Sequence, residues 1–221
     1  MVGSEKINGW QHITSNVERL IFDANLLQHN GRHASALSTA ILAFEEAGKG
    51  SNFETGFGIS RKGKSKVYSW HMLRQIVSGF FLSTSLFQKY RLSPSITKET
   101  EKAIKDRWDS FQDMKEGASA PIPEEMREQI LSDLQSSEHL AKQIEELGEE
   151  ERFIFTVEQR WTRKLLVASM SGQAEVMRQK GMYVDLDGDA IKSTPESIDG
   201  TSSQYWINAA YSGVIRPPIP I

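Results

Sequence analysis

The chain has 221 residues, 38% of them hydrophobic and 25% charged, with a formal net charge of −3 and no cysteine. That composition describes a globular chain able to bury a core, and it excludes disulfides, thiolate nucleophiles and cysteine metal sites. A slight acidic excess also excludes a global electrostatic pull toward nucleic acid, so any RNA contact must come from a local basic patch. The first residues lack a charged-then-apolar leader pattern, and the longest apolar runs, such as Gly79-Phe80-Phe81-Leu82, are too short to cross a bilayer. A cytoplasmic location and no membrane partner are expected.

Apolar residues from Trp10 through Ile13, Val17, Leu20, Ala24 and Leu27 repeat at helical spacing, predicting a first helix over residues 8–28. His29-Asn30-Gly31 supplies a stop, so the next helix folds back as an antiparallel hairpin. That second helix, residues 34–49, carries Ala34, Leu37, Ile41 and Phe44 on one face, bordered by Ala36, Ala40, Ala43 and Ala47. Glu45 falls beside the apolar stripe and precedes Lys49 by four residues, the favourable order for a helical ion pair; Glu46 points away from the stripe. Residues 51–66 read as a Gly-, Ser- and Lys-rich loop, and a third helix is predicted over 67–90. Pro94 opens a strongly charged helical excursion over residues 93–148, interrupted by a Pro- and Ala-rich linker at 118–123. A final long helix is predicted over 149–178. After Gly181 the composition turns to Gly, Ser, Pro and Asp, predicting a largely irregular tail over 183–221 with one short helix near 203–211. No segment sustains the two-residue alternation of a strand. The expectation is an all-α chain: one helical bundle over residues 1–182, with the tail packed on its surface.

Three blocks carry a family resemblance. The run from Gly31 to Gly50 closes on Glu45, Glu46 and Lys49; the next helix opens with Ser69-Trp70-His71-Met72-Leu73; and near the end stands Gln179-Lys180-Gly181-Met182-Tyr183-Val184-Asp185. In this order the blocks resemble the AbiV group of bacterial abortive-infection proteins, a branch of the HEPN superfamily of helical bundles. The resemblance implies an effector of antiphage defence: a HEPN-type toxin, triggered by a phage-encoded activator, that blocks translation or RNA metabolism. It also implies a homodimer in which two bundles face each other.

The superfamily's ribonucleases usually carry an arginine followed, after four to six residues, by a histidine. This chain departs from that pattern: no arginine stands at that spacing before His71, but Lys66 and Lys64 do, with four and six residues intervening. Metal-independent RNA cleavage requires a base for the 2′-hydroxyl, an acid for the leaving oxygen and a cation near the phosphate. Glu45, His71 and Lys49 have the right chemistry and are the catalytic candidates; Lys66, Lys64 and Arg163 are the RNA-binding candidates. The remaining cations of the last helix, Arg160 and Lys164, with Arg178 and Lys180 below them, read as a solvated face. Asp185, Asp187, Asp189 and Glu196 imitate a calcium loop, but Ala190 stands where the sharp turn requires glycine, so the segment reads as an Asp-rich turn. No metal and no cofactor is expected. The competing reading is a non-enzymatic helical module that binds an RNA or protein component of the translation machinery.

Overall fold

The computed structural model describes residues 2–49, 70–92, 122–135, 138–183, 185–187 and 190–214. Lys64, Lys66 and most of the charged excursion lie outside them. The described chain is all-α, with eight helices and one small hairpin: α1 (Val2–His29), α2 (His33–Lys49), α3 (Trp70–Lys89), α4 (Glu124–Gln135), α5 (Glu138–Glu145), α6 (Glu149–Met170), α7 (Gln173–Lys180), strands β1 (Asp185–Asp187) and β2 (Ala190–Ser193), and α8 (Gly200–Val214). No described helix is long and apolar enough to cross a membrane. Packing divides the chain into two compact units, Met1–Asn52 with Gln173–Ile221, and Phe53–Gly172.

In the first unit α2 is the central element, contacted by α1, α7 and α8. Its alanines explain this. Ala has the highest helix propensity, and the fully buried Ala36, Ala40 and Ala43 let flanking backbones come close. The α1–α2 connection is as short as the sequence predicts: Gly31 adopts φ +69°, and the Arg32 N–H closes on the Leu27 carbonyl at 2.9 Å. On α8, Trp206, Ile207, Ala209 and Ala210 are buried, and the Trp206 ring meets Phe44 edge-on at 5.5 Å between centroids. One side chain of α1 fastens the start of α8. The Gln28 amide donates to the Gly200 carbonyl at 2.9 Å, while its oxygen accepts from His33 Nδ1 at 3.0 Å and from the Ser203 hydroxyl.

The second unit is built on α3 against α6. Gly79 is the point of closest approach, because a Cβ there would lie 3.1 Å from the Leu166 Cα. One core cluster joins Ile76, Phe80, Ile130, Leu131, Leu166 and Met170. Another gathers Leu86, Phe87, Leu92 and Leu140 around Phe155, whose ring lies 5.3 Å from that of Tyr90. Helix α3 ends at Lys89, and Arg91 (φ +54°) turns the chain after it, so that the Leu92 N–H bonds the Phe87 carbonyl at 2.8 Å.

The structure alters several expectations. The last long helix stops at Met170; Gly172, at φ +73°, turns the chain before α7 begins. Asp185–Asp187 and Ala190–Ser193 pair as two short antiparallel strands where only a turn was anticipated. Most of the tail's described part is helical, since α8 runs from Gly200 to Val214 and buries its apolar face. The turn-rich composition misled because Ser, Gly and Asn are neutral to unfavourable for a helix only until tertiary burial outweighs propensity.

Candidate functional site

The C-terminal half of α2 brings Phe44, Glu45, Glu46 and Lys49 into two turns. Helical spacing sets Glu45 at the edge of the apolar stripe, and the structure carries it further in, to 3% exposure. A cation from far along the chain lies within its field. The Arg178 guanidinium on α7 forms a two-pronged pair with Glu175, Nη2 to Oε1 at 2.6 Å and Nε to Oε2 at 2.9 Å. Those bonds to Glu175, with the negative field of Glu45 added, push the already high pKa of Arg178 further up. The side chains of Arg178 and Glu175 are 11% and 12% exposed, so Arg178 does not belong to the solvated face read from the sequence.

The backbone of α7 is fastened at the same place. Ser38 Oγ donates to the Arg178 carbonyl at 2.9 Å. Gly181 follows, so close to α2 that a Cβ would fall 2.2 Å from Ser38 Oγ and 2.6 Å from the Ala34 carbonyl oxygen. Two of the three sequence blocks therefore meet in one packed junction, and the glycine of the third block is set by the near contact of two backbones.

Lys49 is engaged differently from the sequence expectation. Its ammonium pairs with Glu46, three residues back, rather than making the anticipated bridge to Glu45. Glu46 is accordingly half-buried, not directed fully to solvent.

His71 lies in the first turn of α3, in the second unit, and is partly buried. Gln75 and Ser78, polar residues one and two turns further along α3, are both buried. The sequence reading passed over Arg74. It stands three residues after His71, hence on the same side of α3, and is also partly buried; the superfamily pattern has its cation before the histidine, not after it. Arg163, on α6, borders a shallow recess with Ser83, Gln159 and Thr162 over Leu166, its Nη2 3.3 Å from Glu128 Oε2. Of the named candidates, Glu45 and Lys49 thus belong to the first unit and His71 and Arg163 to the second.

A helical hairpin whose second helix closes on two glutamates and a lysine, followed by a histidine-opened helix in an all-α chain, defines a HEPN-like helical protein. The profile of the AbiV HEPN family matches residues 5–214, and the chain belongs to that family. Membership makes it an abortive-infection protein of the antiphage-defence type. Comparison with curated proteins and with solved structures gives no match.

Proposed function

We propose that this chain is an effector of abortive infection that blocks translation or RNA metabolism by binding, through its helical surfaces, an RNA or a protein of the translation machinery. The observation that carries the choice of binding over cleavage is the position of Glu45. A general base has to come within hydrogen-bond reach of the proton it removes, and a carboxylate only 3% exposed, in the field of the largely buried Arg178, is withdrawn from an incoming substrate. Arg163, Lys64 and Lys66 are the cations proposed to meet phosphate, and a phage-encoded component is the proposed trigger. The active form is proposed to be a cytoplasmic homodimer with the first three helices near its two-fold axis. The exposed Phe22 and Leu26, four residues apart on α1, would contribute apolar surface to it.

A second reading, a metal-independent ribonuclease using His71, Glu45 and Lys49, draws support from the partial exposure of His71 and from Arg74 on the same side of its helix. Expression of wild type, Glu45→Gln and His71→Ala in a bacterial host, followed by growth, phage plating and total-RNA integrity, separates the two. The binding reading expects growth arrest with intact RNA, retained by folded His71→Ala. Fragmented RNA in wild type that becomes intact in folded His71→Ala would replace it with the ribonuclease.

A further inference from the structure

Helix α6 has an outward face that nothing in the proposed function uses. Glu149, Phe153, Val157, Arg160 and Lys164 follow one another at steps of four, four, three and four residues, which is one continuous stripe on an α-helix. All five are exposed. Phe153 is 70% and Val157 51% open to solvent, and Ile154 beside them 42%. The face is ordered along its length: acidic at the start (Glu149 with Glu150), apolar in the middle, basic at the end (Arg160 and Lys164).

That order is self-complementary. Turned end for end, the face presents its basic end to the acidic end of another copy and apolar middle to apolar middle. We infer that two copies of this chain associate through α6 in an antiparallel pair about a two-fold axis near Val157. In this register Glu149 faces Lys164 of the second copy and Phe153 packs under the stem of Arg160 of the second copy. Each contact occurs twice, as a two-fold interface requires. A like-oriented, parallel pair would place glutamate on glutamate and is disfavoured. The stripe spans about 22 Å at ~1.5 Å per residue. One helix face of that length buries less than the ~800 Å² per partner of a standard interface, so the association is a weak one, in the micromolar range. The inference stands on α6 alone and needs neither the α1-side dimer nor any RNA target.

The absence of native cysteine makes the test direct. Antiparallel helices packed about 8–10 Å apart bring facing Cα atoms within the ~4–7 Å that a disulfide tolerates. Val157→Cys, held at tens of micromolar with mild oxidant, should run as a covalent dimer on a non-reducing gel. Gln204→Cys, an exposed control on α8, should stay monomeric. In the Val157→Cys background, Glu149→Lys/Glu150→Lys and Arg160→Glu/Lys164→Glu should each cut the cross-linking rate at least fivefold at low salt. Mixing those two variants should restore it as a mixed dimer. Circular dichroism confirms that each variant keeps its helicity, and should a charge-reversed variant unfold, the Val157→Cys result decides alone. No cross-link in Val157→Cys, or a rate indifferent to both charge reversals in folded variants, overturns the inference. A Phe22→Cys cross-link without a Val157→Cys one would leave the α1-side dimer standing and remove this one.

Discussion

Single positions in the α2–α7 junction carry more of the structure than their chemistry suggests. Gly181→Ala would gain about 0.4–1 kcal/mol by restricting the unfolded chain, but its methyl has to displace the Ser38 hydroxyl and a backbone carbonyl that cannot rotate away. Overpacking of this kind costs about 1–3 kcal/mol, so the expected outcome of denaturant unfolding is a net loss of ~1–2 kcal/mol. Arg178 is the other such position. Arg178→Met keeps the stem but removes the guanidinium that pairs with Glu175 and lies in the field of the buried Glu45, and removal of one partner of a largely buried pair costs about 3 kcal/mol. Part of that loss should return when Glu45→Gln is added. A double-mutant cycle measures this coupling; simple additivity of the two substitutions would mean that Glu45 and Arg178 do not act together.

Elements are joined here by caps and close approaches as much as by apolar area. Asp199 precedes α8 and accepts the Ser202 N–H at 2.7 Å, an N-cap bond. That bond, with help from the Ser202 hydroxyl, holds the Asp199 carboxyl below its ordinary value of 3.8. A depressed pKa means that the contribution is complete above the unfolded value and vanishes as pH falls through the folded one. Asp199→Asn, itself a good cap, is therefore expected to leave stability at pH 7 nearly unchanged while flattening its decline below about pH 4. Thermal melts across pH 2–7 check this. Between α3 and α6 the contact at Gly79 sets the spacing. Gly79→Ala gains ~1 kcal/mol of helix propensity against a 3.1 Å approach to the Leu166 backbone, whereas Gly79→Leu has no such margin. Chemical unfolding should find the alanine variant within about 1 kcal/mol of wild type and the leucine variant lower by ~3 kcal/mol.

At the scale of the whole molecule, membership of the AbiV family and the all-α fold are established, and the assembly state is the next quantity to fix. Light scattering at tens of micromolar should return a mass of at least two chains, and a one-chain mass unchanged across micromolar concentrations would count decisively against every dimer proposed above.

What the sequence determined by itself is local. Periodicity and propensity place α2 and α6, the Asn–Gly turn after α1, and Glu45 at the border of an apolar stripe, because each follows from residues within a few turns of one another. Tertiary structure decided the rest. The Arg178–Glu175 pair is local, three residues apart on α7, but no local rule brings Arg178 into the field of Glu45, since α2 and α7 lie far apart in the chain and the burial that strengthens their attraction exists only after packing. Lys49 turned to Glu46 instead of Glu45 for a related reason: helical spacing offers both partners, and burial withdrew one of them. Likewise, α8 runs from Gly200 to Val214, beyond the short helix expected near 203–211, because Trp206 and its neighbours gain from burial against α2 a stabilisation that intrinsic propensity does not supply.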